Sequence, residues 1–231
     1  MIFDPPLAEA VLRRRYKRFL ADLELPGGET LTVHVPNTGA MTLCAEPGSR
    51  AWYSTSDDPR RKLAGTLEIV ESAGALAGVN TARTNALVEE ALAAGRIPEL
   101  AGYGQRRREV RSGDSRLDFL LEGAGPPAWV EVKNVTLVDG AAAIFPDAVT
   151  ARGLKHVERL RALEGEGARA VLLFVVQRED ADHFRPAAAI DPAYARALAA
   201  AHAEGVEILC YQARVSPREI CLRRALPVVV D

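Results

Sequence analysis

Asp118 and the triplet Glu131-Val132-Lys133 are the residues whose types and spacing point most directly to chemistry. In a strand, side chains two apart share a face, so Glu131 and Lys133 project together while Val130 and Val132 turn the other way. In the preceding run Leu117, Phe119 and Leu121 form the apolar set, which leaves Asp118 on the opposite side. A hairpin through Gly123-Ala124-Gly125-Pro126-Pro127 makes the two runs neighbours, and the carboxylates of Asp118 and Glu131 converge beside a lysine. Glu90, in a helical run upstream, is a candidate third carboxylate. Such a set suits metal-assisted phosphodiester hydrolysis. Hard divalent cations such as Mg²⁺, or Mn²⁺, take oxygen ligands and keep several waters. The cation polarises the phosphate and lowers the pKa of a bound water, and an ammonium stabilises the added charge. The expected catalytic set is Asp118, Glu131 and Lys133, with Glu90, Asp118 and Glu131 holding Mg²⁺ or Mn²⁺. Taken alone, Glu-x-Lys also fits a solvated ion pair on an exposed strand.

Basic clusters supply candidate phosphate contacts. Arg13, Arg14, Arg15, Lys17 and Arg18 interleave with Tyr16 and Phe19, a mixture that suits phosphates and unpaired bases. Ordinary solvated faces, and core packing for the two aromatics, are the plainer alternatives. Arg152, Lys155 and His156 fall at i, i+3 and i+4 of a helix and share one face. Asp147 reads as a helix-capping residue or an acid behind the site, with capping favoured. Lysine is used four times against 25 arginines, a weak hint that Lys133 and Lys155 are kept for their ammonium.

The elements that must position these residues fall into two patterns. Up to about residue 80, five short strand-like runs separated by Pro/Gly turns predict a small OB-type β-barrel. From Thr81 the order becomes helix, three strands, helix, strand, helix, strand. Thr84-Asn85 is read as capping the first helix. Thr150 to Leu163 forms the second helix, and Ala170 to Val176 is a strand apolar on both faces. A helix between two buried strands predicts a right-handed crossover and a partly parallel sheet. The expectation is an α/β (α+β) chain with a barrel over 1–81 and a mixed-sheet domain over 82–231.

At 231 residues, 48% hydrophobic and 26% charged, the chain has the composition of a globular protein. The longest apolar run is far short of the roughly 20 residues of a membrane span. Met1-Ile2-Phe3-Asp4-Pro5-Pro6 has no signal-peptide pattern. Cys44, Cys210 and Cys221 are scattered and fit a reducing cytoplasm rather than a disulfide or zinc framework. A net charge of −2 leaves only local patches to attract nucleic acid. P-loop, dinucleotide-binding and serine-nucleophile motifs are absent from the sequence.

Asp118 followed by Glu131-x-Lys133, set in that element order, resembles the PD-(D/E)xK nuclease superfamily. Leu117 stands where the motif's proline would be, and Pro146-Asp147 comes too late in the chain to serve as that pair. Longer segments resemble the sugar fermentation stimulation protein A family. They include Arg15-Tyr16-Lys17-Arg18-Phe19-Leu20-Ala21-Asp22, His34-Val35-Pro36-Asn37-Thr38-Gly39-Ala40-Met41, Val130-Glu131-Val132-Lys133-Asn134-Val135-Thr136-Leu137 and Phe145 to His156. That resemblance implies an N-terminal OB-like domain, a nuclease-like second domain, non-specific DNA binding and a link to sugar, especially maltose, utilisation. Two functions from different classes follow. One is a divalent-metal-dependent nuclease acting on DNA, including single strands. The other is a catalytically silent, non-specific DNA-binding regulator. A module that only binds protein is a third, and a homodimer is compatible with any of them.

Overall fold

The computed structural model describes residues 1–123 and 125–230. Six strands form the first sheet: β1 (Ala8–Tyr16), β2 (Leu20–Glu24), β3 (Thr30–His34), β4 (Arg50–Thr55), β5 (Gly65–Ser72) and β6 (Ala75–Gly78). Their order is β3-β2-β1-β4-β5-β6, and a parallel contact at His34 and Thr66 joins β3 to β5. Five strands thereby close into an OB barrel around Leu12, Leu23, Val33, Leu67 and Val70. The sequence pattern predicts five strands here, and β1 is a sixth. Only Ala10 and Leu12 of that strand point fully inward, and the arginines after them mask the alternation.

The second part carries α1 (Thr84–Ala93), β7 (Gln105–Ser112), β8 (Ser115–Glu122), β9 (Ala128–Val135), β10 (Leu137–Asp139) and β11 (Ala142–Phe145). It continues with α2 (Ala151–Gly165), β12 (Arg169–Val176), β13 (His183–Pro186), α3 (Pro192–Ala203), β14 (Glu207–Val215) and β15 (Ile220–Ala225). The main sheet runs β15-β14-β12-β9-β8-β7. β12 lies parallel to both β9 and β14, and the other neighbours are antiparallel. The turn expected at 123–127 joins β8 to β9, with Ala124 outside the described residues.

Two apolar layers sandwich this sheet. α1 buries Leu87, Val88 and Ala91 against Phe119, Leu121, Val130 and Val132. α2 and α3 bury Val157, Leu160, Tyr194 and Leu198 against Leu172, Phe174 and Val176 on the other face. β12 is covered on both sides, which explains its unbroken apolar sequence. Leu117 packs with α2 and not with Phe119 and Leu121, contrary to the simple alternation. β10, β11 and β13 make a separate small sheet, too short to announce itself by periodicity.

Thr84-Asn85 does not cap α1. Asn80 instead accepts from Ala82 N at the 3₁₀ turn Thr81–Arg83, and the helix follows with no capping side chain of its own. Thr150 does cap α2, accepting from Gly153 N at 3.0 Å.

The two parts are stitched in several places. Residues ahead of β1 leave the barrel and hydrogen-bond to the second part: Phe3 N to Arg218 O, Leu7 N to Pro217 O, and Ile220 N to Met1 O. Phe3 and Leu7 enter the core under α1. Gly78 N donates to Gln177 O at 2.8 Å. Arg178, fully buried, donates to Thr136 O on one side and Ser72 O on the other. Among the described residues no helix is long and apolar enough to cross a membrane.

Candidate active site

The β8–β9 ladder runs from Leu121 opposite Ala128 to Phe119 opposite Val130. One step further the strands part, and the Asp118 carboxylate takes the place of the missing strand partner. Its Oδ2 accepts from Val132 N at 2.7 Å, and its Oδ1 accepts from Asn85 Nδ2 of α1 at 2.7 Å. Glu131, 3% exposed, projects toward α2. Its Oε1 accepts from Lys133 Nζ at 2.5 Å and pairs with Nδ1 of His156. Lys133 Nζ and His156 Nδ1 lie 3.3 Å apart. The second oxygen, Glu131 Oε2, is buried with no hydrogen-bond partner. A buried carboxylate oxygen left bare costs free energy unless something positive meets it.

Burial, and after it the charge of Glu131, push the Asp118 carboxyl up to about 6. Burial acts on Glu131 in the same sense, but His156 and Lys133 outweigh it and hold its pKa below the ordinary value. The site therefore pairs a firmly ionised glutamate with an aspartate that titrates close to neutrality, a pattern common at functional sites. Tyr194, beneath α2, is buried with its hydroxyl unpartnered. Burial, then the charges of Glu131 and Asp191, raise its pKa far above the ordinary value, so it stays neutral.

Asn85, Asp118, Glu131, Lys133 and His156 line a cleft of about 610 Å³ between the barrel and the sheet. The barrel contributes Arg15, Arg18 and the loop from Asn37 to Ala40. The sheet side contributes Asp118, Glu131, Lys133, the segment from Phe145 to Thr150, Arg152 and His156. Asp147 crosses the seam: its Oδ2 accepts from Met41 N at 2.9 Å. It does not cap α2, where Thr150 fills that place. Gly39 is needed beneath it, since a Cβ there would come within 2.7 Å of Asp147 Oδ2.

The other expected site residues divide. Glu90 lies outside the cleft and pairs with the Met1 ammonium at 2.6 Å, because its position on α1 faces β15. α1 sends Asn85 into the cleft instead, where it binds Asp118 and does not cap the helix. His156 is buried against Glu131 and is not part of an exposed basic face. Lys155, exposed, donates to Asp114 O at 3.1 Å outside the cleft. Arg13 pairs with Glu24, and Arg14 with Asp22 at 2.7 Å. Tyr16 donates to Asp22 Oδ1 at 3.1 Å. Arg15 spends its guanidinium on the carbonyls of Asn37, Gly39 and Ala40. Lys17 lies exposed in the β1–β2 turn. Arg18 and Arg152 are exposed on opposite walls of the cleft, and neither forms an ion pair among the described residues.

A divalent cation fits the donor chemistry here. Glu131 Oε2 is bare, each Asp118 oxygen keeps a lone pair beyond its one hydrogen bond, and both are hard oxygen donors. Among the described residues no group of three His, Cys, Asp or Glu side chains is arranged to hold a metal. Two carboxylates plus waters is the coordination that these residues offer.

Residues 82–219 match the family model described as the sugar fermentation stimulation protein RE domain, and residues 14–79 match the SfsA N-terminal OB domain. A sugar fermentation stimulation protein homolog of Pseudomonas entomophila is 56% identical, with all of both chains covered. Another from Thioalkalivibrio sulfidiphilus is 54% identical over 99% of this chain and 98% of its own. A solved structure of Pyrococcus furiosus SfsA in complex with Ca²⁺ superposes with a TM-score of 0.92 at 28% identity, covering 100% of this chain and 98% of that one.

Proposed function

The chain belongs to the sugar fermentation stimulation protein family, and from that premise we propose that it is a DNA-binding protein with a divalent-metal-dependent nuclease site. The observation that carries this reading is the bare, buried Glu131 Oε2 beside Asp118 and Lys133 in a cleft open to both domains. Glu131 and Asp118 hold Mg²⁺ or Mn²⁺. The ion, when bound, supplies Lewis-acid stabilisation of a phosphate and a lowered pKa for a coordinated water. Lys133, fixed by Glu131 Oε1, offers its remaining protons to the phosphate or the attacking water. His156 is a positioning residue: by occupying Oε1 it leaves Oε2 as the free donor. Arg18 and Arg152 grip the strand backbone from the two walls, a contact blind to sequence. Every group named comes from one chain, so this reading needs no homodimer.

The experiment is cleavage of labelled single-stranded, duplex and branched DNA with Mn²⁺, using Glu131→Ala as control. We expect cutting by the wild type and a loss of about a hundredfold or more in the variant. No cutting of any substrate by the wild type sinks the nuclease reading. One observation favours the alternative of a silent, non-specific DNA-binding regulator of sugar utilisation: among the described residues no group of three His, Cys, Asp or Glu side chains is arranged to hold a metal, and the third carboxylate of the cleft, Asp147, is engaged by the Met41 amide. That alternative predicts salt-sensitive binding without cleavage, unchanged by Glu131→Ala.

A further inference from the structure

The turn between β1 and β2 is strained. Lys17 and Arg18 take φ of 49° and 62°, the left-handed region that glycine and asparagine enter at least cost. Hairpin connections usually meet that demand with Asn-Gly. This one carries two long cations, followed by Phe19, which is 46% exposed. Neither cation makes a side-chain hydrogen bond or ion pair among the described residues. The turn is shaped by the backbone: Phe19 N donates to Lys17 O, and Val35 N to Phe19 O, both at 2.8 Å. Strain retained for side chains that do nothing for the fold points to a use outside it.

The position of the turn indicates that use. Arg15 Nε donates to Arg18 O at 3.2 Å, while its terminal nitrogens hold the carbonyls of the Asn37–Ala40 loop. One guanidinium thus brackets the turn to the loop that lines the cleft, and Arg18 itself lies in the lining with Asp118 and Glu131. An exposed ring beside two free cations suits an unpaired strand: the ring meets a base face, and the cations meet phosphates.

We infer that Lys17-Arg18-Phe19 is a base-stacking wedge at the mouth of the cleft. Phe19 takes the face of one unpaired nucleobase, and Lys17 and Arg18 take the flanking phosphates. The inference rests on the nuclease reading above, but it is tested by binding and not by cutting.

The test is fluorescence anisotropy of the full chain in chelator and low salt, with a labelled single strand and the matching duplex. Phe19→Ala should weaken single-strand binding by about tenfold and leave duplex binding unchanged, with Phe19→Trp restoring it. The pair Lys17→Asn and Arg18→Gly relaxes the backbone, so Tm should rise while single-strand affinity falls. Melting curves establish that each variant is folded. Wild-type affinity in Phe19→Ala overturns the wedge while leaving the nuclease reading standing. A raised Tm with unchanged affinity in the double variant overturns the role of the cations. A wild-type protein that binds no nucleic acid overturns both the wedge and the reading beneath it.

Discussion

Burial first, and the charge of Glu131 second, raise the Asp118 carboxyl to about 6 in the folded chain, against an ordinary value of 3.8. The folded state therefore holds that proton more tightly than the unfolded chain does. The resulting stabilisation is complete below about pH 4 and is lost as the pH rises through 6. Asp118→Asn, which keeps the shape without the charge, should be more stable than wild type by about 2–3 kcal/mol at pH 8 and equal to it near pH 4. Urea unfolding in chelator at the two pH values measures this; an equal difference at both would remove the charge explanation. Convergence of Asp118, Glu131 and Lys133 on one cleft was legible from strand alternation, because adjacent antiparallel strands leave little freedom at that range. Glu90 and His156 were not legible in the same way. Each depends on how a helix is rolled about its axis, which distant packing sets: Glu90 faces β15, while the His156-Val157-Leu160 side of α2 faces the sheet. A signal for His156 was present in Gly153, one turn earlier, where a Cβ would press within 3.2 Å of the Tyr194 ring.

At the scale of elements, β6 meets Gln177, the residue after β12, through a close approach that only glycine allows. A Cβ on Gly78 would lie 2.3 Å from Gln177 Oε1. The Gln177 amide cannot move freely, because its nitrogen donates to Asn134 Oδ1 at 2.5 Å and Thr84 Oγ1 at 3.2 Å. Gly78→Ala should cost about 1–3 kcal/mol through this crowding, read as a lowered urea midpoint with an unchanged slope. Asn134 and Thr84 both line the cleft, so the same change disturbs its floor. The barrel, the three helices and the buried β12 were readable because each repeats a period over several residues. β1 was hidden by its arginines, and β10, β11 and β13 by their brevity. Asp147 looked like a cap because it stands just before a helix; its true partner, the Met41 amide, is 106 residues away and has no local signature.

On the scale of the whole molecule, the segment before β1 binds the second sheet, and the barrel is held from both of its ends. Phe3 enters the core under α1, and the Arg83 guanidinium lies 5.4 Å from the centre of its ring. Arg83 in turn neutralises the fully buried Glu68 of β5. Phe3→Ala should therefore cost about 3 kcal/mol, chiefly as an unfilled cavity, and loosen the seam at Glu68. Chemical denaturation gives the cost; a loss below about 1 kcal/mol would mean that the segment merely lies on the surface. The double tether also has a consequence for synthesis. Met1 and its partner Ile220 are separated by 219 positions. At ribosomal rates of about 5–20 residues per second, the strands of the barrel have all emerged on the order of ten seconds before β15 does. Throughout that interval Phe3 and Leu7 lack their backbone partners at Arg218 and Pro217, and a nascent chain carries all six strands of the first sheet ahead of an unfinished cleft.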